Sequence, residues 1–233
     1  MGHAMKRYFQ IAIDGPVGSG KSTVARLVAE RLGWLYVYTG AMYRAAALAA
    51  MNAGVPLSDA KAVARLVSEA QIGMSNPVGR EVDRRPTTLL LNGKDVSWEI
   101  LSEEVSKGSS VVAVHKEVRE ALVIKQQEIA RTKNVVMEGR DTTFRVLPDA
   151  QLKVFLTARE PERAKRRHQQ LLERGEDVDY KQVLGDLKKR DERDSNRKVD
   201  PLHVVQDAWV LDTTDLTVSA VVDKILQRVH ELT

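Results

Sequence analysis

The stretch with the plainest chemistry is Gly15-Pro16-Val17-Gly18-Ser19-Gly20-Lys21-Ser22, which fits G-x-x-x-x-G-K-[ST] in full. Glycines at that spacing let backbone N–H groups turn inward around phosphate oxygens, and a helix starting near Lys21 adds its partial positive end. Lys21 would reach the β- and γ-phosphates, and the Ser22 hydroxyl would ligate Mg²⁺. The plain alternative is a glycine turn that caps a helix. The flanks favour the phosphate reading. Tyr8 to Asp14 is a short buried-strand pattern, and Val24, Leu27, Val28 and Leu32 fall at helical spacing until Gly33 stops them. Asp14 closes the strand, where it could hold a Mg²⁺-bound water or cap the strand end; both readings stand.

A second set of residues could hold anions. Arg44 follows Tyr43 on the next helix, and Arg140 stands in Glu138-Gly139-Arg140-Asp141 just past an apolar run. Arg163, Arg166 and Arg167 lie at i, i+3, i+4; Arg190, Arg193 and Arg197 lie at i, i+3, i+7, with Asp194 one turn past Arg190. A planar guanidinium can bind two phosphate oxygens at once. Against that, Glu160, Glu162 and Glu173 could pair with the first trio, leaving a solvated face of ion pairs. Arg140 is different, because open α/β sheets bind ligands beyond the carboxyl ends of their strands. Asp141 could cap a loop or read a substrate donor, and Tyr43 could be core or a stacking platform.

These residues need a frame. Strands are expected at Tyr8 to Asp14, Trp34 to Tyr38, Asn134 to Glu138, Gln151 to Leu156 and Ala208 to Asp212. Helices are expected from Lys21, over Ala41 to Asn52, after a Ser58 cap, and over Ser102 to Arg131 in two pieces. Further helix is expected through the charged span Arg159 to Arg197 with Pro161 at its start, and from a Thr217 cap to the end. Between Gln71 and Ile100 the texture changes, and Thr87–Leu91, Asn92-Gly93, Lys94–Val96 reads as a hairpin on a type I′ turn. Strands alternating with helices predict an α/β fold with a mainly parallel sheet and a small antiparallel insert.

Composition bounds the function. The chain has 233 residues, enough for one or two domains, and is 43% hydrophobic and 29% charged, as soluble globular chains are. No apolar run approaches the roughly 20 residues that span a bilayer. A net charge of +4 means that anions must be met by placed charges, and interleaved acids argue against a nucleic-acid binder. No cysteine is present, which removes disulfides, thiolate metal sites and Cys nucleophiles. Met1-Gly2-His3-Ala4 reads as a vector-derived leader before a native Met5, and with no signal peptide the expectation is cytoplasmic.

The chain resembles the bacterial cytidylate kinases from about Phe9 onward. The resemblance lies in I-D-G-P-V-G-S-G-K-S-T at Ile13 to Thr23, T-G-A-M-Y-R at Thr39 to Arg44, V-R-E-A-L at Val118 to Leu122, G-R-D at Gly139 to Asp141, P-D-A at Pro148 to Ala150, and K-R-D-E-R-D-S-N-R at Lys189 to Arg197. It departs at Thr39, where the family has serine, and at Thr142-Thr143-Phe144-Arg145, where the family runs on with glycine and threonine.

The resemblance implies a P-loop three-layer α/β/α domain over residues 5–233. Its core would be 5–38, 133–158 and 198–233; a monophosphate-binding arm with the β insert would cover 39–132, and a helical lid with its flanking helix 159–197. It implies that ATP is held by Gly15, Pro16, Val17, Gly18, Ser19, Gly20, Lys21, Ser22 and Thr23, as ATP–Mg²⁺. The CMP phosphate would go to Thr39, Arg44, Arg140, Arg190 and Arg197, cytosine to Ser110, Arg119 and Asp141 with Tyr43 against the ring, and the ribose to Asp194. Transfer would fall to Lys21, Arg140, Arg190 and the lid residues Arg163, Arg166 and Arg167. The expected protein is a monomer that phosphorylates CMP and dCMP, with no nucleic-acid or membrane partner. Other acceptors (UMP, another monophosphate, shikimate, dephospho-coenzyme A) and a P-loop switch without an acceptor are the rival readings.

Overall fold

Short runs of aliphatic residues bounded by turn formers make the strands, and stretches with apolar residues three and four apart make the helices. The structure, a computed structural model, describes residues 8–233 apart from positions 82, 84 and 174, so the expectation for Met1-Gly2-His3-Ala4 lies outside the described residues. In chain order the elements are β1 (Gln10–Asp14), α1 (Lys21–Leu32), β2 (Leu35–Tyr38), α2 (Thr39–Asn52), α3 (Ala60–Glu69), β3 (Ile72–Ser75), β4 (Thr88–Leu91), β5 (Lys94–Asp95), α4 (Glu103–Val112), α5 (Lys116–Ala130), β6 (Val135–Gly139), β7 (Leu152–Thr157), α6 (Glu160–Leu172), α7 (Tyr180–Asn196), β8 (Trp209–Asp212) and α8 (Val218–Leu232). Five strands pair in the order β2-β6-β1-β7-β8, with Ile13 of β1 opposite Val154 of parallel β7 and Phe155 opposite Val210 of parallel β8. This is the parallel α/β sheet that the alternation of elements predicts, and β3-β4-β5 form the separate antiparallel insert. No helix among the described residues is long and apolar enough to cross a membrane.

Contacts gather the chain into two units. One holds the described residues up to Gln10 with Leu32–Met137; the other holds Ile11–Arg31 with Glu138–Thr233. In the second unit Ile11, Ala12, Ile13, Val154 and Leu156 are fully buried, which is why β1 and β7 read as nearly continuous apolar runs. Helix α8 buries Val221, Val222, Ile225 and Val229, each contributing about 1.5–3 kcal/mol, and the Thr217 hydroxyl caps it by accepting from the Ala220 amide.

In the first unit α2 is alanine-rich because α4 lies close against it. A Cβ at Gly108 of α4 would come within 2.6 Å of Met51 Cε and 3.3 Å of Ala47 Cβ. Helix α2 begins at Thr39, two residues before the expected Ala41. The Tyr38 ring folds back over that first turn, and a Cβ at Gly40 would stand 2.5 Å from it. The cap of α3 is Asp59, not Ser58: its Oδ1 accepts from the Ala62 amide at 3.0 Å. A carboxylate also meets the positive end of the helix, which a hydroxyl does not. The hairpin turn is type I′, with positive φ at both Asn92 (51°) and Gly93 (81°). Beyond it the Trp98 indole, half exposed, donates to Asp83, which Arg85 holds together with Asp95.

Candidate functional site

The second unit carries the phosphate cradle at the carboxyl ends of its strands. Gly15 follows β1 so closely beside β7 that a Cβ there would lie 2.1 Å from the Leu156 carbonyl oxygen. Gly18 has φ 74°, and a Cβ would lie 2.7 Å from the Arg163 carbonyl oxygen. Both positions therefore need glycine, one for space and the other for space and backbone. Lys21 opens α1, is only 7% exposed, and donates to the Pro16 carbonyl at 3.2 Å. Burial, with Arg140 and Arg190 nearby, pulls its ammonium from the usual 10.5 down to about 7, against the opposing pull of Glu138 and Asp194. The cradle thus holds a lysine that loses its proton near neutrality unless an anion arrives.

The Ser22 hydroxyl donates to Glu138 Oε1 at 2.8 Å, and Glu138 is 1% exposed at the end of β6. A hydroxyl and a carboxylate together offer the hard oxygen donors that Mg²⁺ takes alongside substrate phosphates. No group of three or more His, Cys, Asp or Glu suited to a metal occurs among the described residues. For Asp14, the structure shows the hydrogen bonds that a capping residue makes. Its carboxylate is fully buried and accepts from the Thr142 amide (3.0 Å), the Thr143 amide (2.8 Å) and the Thr143 hydroxyl (2.7 Å). Those bonds match the capping reading, while Glu138 is the carboxylate hydrogen-bonded to Ser22.

Arginines surround this cradle within the same unit. Arg140, just past β6, pairs through Nε with Asp194 Oδ2 at 2.7 Å and donates from Nη1 to the Gly139 carbonyl. Burial disfavours the Asp194 carboxylate, but Arg140, Arg190 and Arg197 outweigh that and hold its pKa below the ordinary range. Arg190 and Arg193 are exposed on α7, whereas Arg197 is the C-cap in extended conformation; the expected i, i+7 face ends at Asn196. From there Arg197 donates to the Asp200 carbonyl at 2.6 Å and comes within 4.0 Å of Asp141.

Helix α6 does not present its trio as a solvated face. Arg163 is 5% exposed and donates to the carbonyls of Ala158 (2.9 Å) and Val17 (3.0 Å) and to Asp191 of α7 (2.5 Å). Arg166 pairs with Glu162, as the spacing suggests, and also donates to the hydroxyl and carbonyl of buried Thr213. Thr213 in turn lies within hydrogen-bond distance of the Ser19 carbonyl (3.3 Å). Arg167 is half-buried. Glu138, Asp191 and Thr213 are contributors that spacing alone does not reveal. For Glu138 a signal exists: an acid that ends the apolar run Val135-Val136-Met137 must be buried, and a buried acid needs a partner.

The first unit carries its own cluster. Thr39 is buried at the start of α2. Arg44 donates to the Ile100 carbonyl (3.0 Å) and the Ser106 hydroxyl (3.1 Å). Buried Arg119 of α5 lies over the Tyr43 ring, 5.7 Å from its centroid, and donates to the Ala113 carbonyl. Ser110 is exposed one turn after Ser106 on α4. Tyr43 and Arg119 are thus brought together, and Arg44 meets Ser106, one turn before Ser110.

The chain is similar to known proteins over nearly its whole length. The family described as Cytidylate kinase matches residues 11–231. A cytidylate kinase of Shouchella clausii is 46% identical over 227 residues, covering 97% of this chain and 98% of the relative. One from Bacillus subtilis is 41% identical, covering 97% and 99%. An uncharacterized protein from Eubacterium ventriosum shares the fold at 16% identity, with a TM-score of 0.51 and coverage of 95% and 98%. On this match, spanning nearly its whole length, the chain belongs to the cytidylate kinase family.

Proposed function

We propose that this protein transfers the γ-phosphoryl group of ATP to the α-phosphate of CMP, and of dCMP, giving ADP and the diphosphate in a reversible step. The observation that carries the reading is the Lys21–Ser22–Glu138 cradle standing in one unit with the Arg140–Asp194 and Arg197–Asp141 pairs. The nucleophile is a CMP phosphate oxygen, ionised at neutral pH, so no general base is required. The obstacle is repulsion: unit charges 4 Å apart oppose each other by about 4 kcal/mol at an effective dielectric of 20. Lys21 and Arg190 would offset the charge on the transferring group, and Arg140 would hold the acceptor phosphate in line. Mg²⁺, held by Ser22 and, through water, Glu138, would neutralise the β- and γ-phosphate oxygens when bound.

Arg163 shapes the cradle through the Val17 carbonyl, Arg166 through Thr213, and Arg167 would cover the donor phosphates, excluding water as a competing nucleophile. Arg190 and Arg197 would share the CMP phosphate, Asp194 would take the ribose hydroxyls and Asp141 the cytosine amine. From the first unit, the family likeness assigns Thr39 and Arg44 to phosphate and Tyr43, Ser110 and Arg119 to cytosine. The enzyme would act as a cytoplasmic monomer on free nucleotides of pyrimidine metabolism. A coupled ADP-release assay with ATP–Mg²⁺ across CMP, dCMP, UMP, AMP, GMP and dTMP tests the reading. CMP and dCMP should give the highest kcat/KM; a clear preference for another acceptor, or ATP turnover indifferent to all six, would overturn it.

A further inference from the structure

Asp14 sits next to the cradle, yet its hydrogen bonds run away from it. It is the last residue of β1, is fully buried, and spends both carboxylate oxygens on Thr142 and Thr143. These threonines open the segment Thr142–Val146, a wide turn in which the amides of Val146 and Leu147 bond the carbonyls five residues back, Asp141 and Thr142. Single turns of this width are rare and occur mostly at functional sites. The opening amides of any helical turn lack partners within it, and here a carboxylate supplies them. Hydrogen bonds from two amides and a hydroxyl to a buried carboxylate are of the strong, charge-assisted kind. Asp141, at the head of the turn, has φ −144° and ψ 15° and makes no cap bond of its own. The turn fixes the backbone from which Asp141 projects, next to Arg140, whose guanidinium is also held by Asp194.

We propose that Asp14 is a positioning residue for the acceptor: by clamping Thr142 and Thr143 it fixes the turn that aims Arg140 and Asp141, so that CMP recognition depends on the strand that opens the ATP cradle. The inference rests on the reading of Arg140 and Asp141 as CMP ligands. Thr143 is the matching half of the clamp, since its hydroxyl supplies one of the donors.

The test compares Asp14→Asn, Thr143→Val and Thr143→Ser in the full chain, each checked by thermal melting. In Asp14→Asn, KM for CMP should rise about tenfold or more, because an amide group would face donors with a donor. KM for ATP and the Mg²⁺ concentration at half-maximal rate should stay within about a factor of two. Thr143→Val should raise KM for CMP about threefold, and Thr143→Ser, which keeps the hydroxyl, should restore it. Calorimetric titration with CMP should reproduce the same order of affinities. If Asp14→Asn does not fold, the Val and Ser pair at position 143 carries the test. The proposal is overturned if KM for CMP is unchanged in the folded variants, if only kcat falls, or if Asp14→Asn raises the Mg²⁺ requirement while Thr143→Val is silent. A wild-type protein that phosphorylates no monophosphate would instead overturn the functional reading, and the proposal with it.

Discussion

In the unit built from Ile11–Arg31 and Glu138–Thr233, Arg140 and Arg163 each meet a carboxylate, Asp194 at 2.7 Å and Asp191 at 2.5 Å. In the other unit Arg44 is held by neutral groups, the Ile100 carbonyl and the Ser106 hydroxyl. The difference is one of available charge. A guanidinium already paired with an acid is locally neutralised, and a phosphate that approaches it must share or displace the acid. One held by carbonyl and hydroxyl oxygens is positioned without losing its charge. The first arrangement suits groups that rearrange as substrates arrive; the second suits a fixed positive point. The acid-paired arginines Arg140 and Arg163 also share a unit with Lys21, whose pKa is lowered by burial.

Four measurements would break or sharpen that contrast. The largest effect is expected from Lys21→Met, which should reduce kcat by about a thousandfold or more with the fold intact. A folded variant that retains full turnover would remove Lys21 from the paired unit's chemistry. Next, Asp194→Ala leaves Arg140 without its acid, beside Lys21, Arg190 and Arg197. It should cost about 2 kcal/mol in urea unfolding and weaken CMP, since a mostly buried cation loses its partner. An unchanged midpoint would mean that the pair is replaceable by water.

The third is a matter of protons. With its pKa lowered to about 7 by burial and by Arg140, Lys21 is partly neutral near neutral pH in the free protein. ATP should draw in a fraction of a proton, visible as a dependence of calorimetric heat on buffer ionisation enthalpy. The sign for stability follows from the same shift. Below about pH 7 both folded and unfolded chains carry the proton and the burial penalty is complete. Between about 7 and 10.5 the unfolded chain holds more protons, so this group's contribution grows more favourable as pH rises. Heat that is independent of buffer would refute the neutral lysine. The smallest effect is expected from Ser106→Ala, which removes one of the hydrogen bonds that half-buried Arg44 donates to a neutral acceptor, at a site where water can take its place. It should cost about 0.5–1 kcal/mol and shift KM for CMP by less than about threefold. A loss as large as that of Asp194→Ala would erase the contrast between the units.

The elements were legible wherever their causes are local. The apolar run before Gly15, the Gly33 stop, the Asn92-Gly93 turn and the Thr217 cap are all decided within a few residues, and the structure has them. Where two neighbours could both serve, as at Ser58 and Asp59, composition could not choose, and the charge on Asp59 did. Of the site, the cradle and Arg140 could be read from sequence because the motif and the strand end mark them. Asp14 could not, because its partners lie 128 and 129 residues away and its sequence neighbours point to Mg²⁺. Arg163 reads as surface by spacing alone. Its burial comes from the Val17 carbonyl, 146 residues distant, and from Asp191 on another helix.

Trp98 stands half in solvent on the insert with its indole N–H on Asp83. Its emission will therefore be sensitive to quenchers in the surrounding water and to any loosening of the Asp83–Arg85 clamp. With Trp34 and Trp209 replaced by Phe, Trp98 would be an optical reporter just past the small antiparallel sheet, readable during nucleotide titration without attaching a dye.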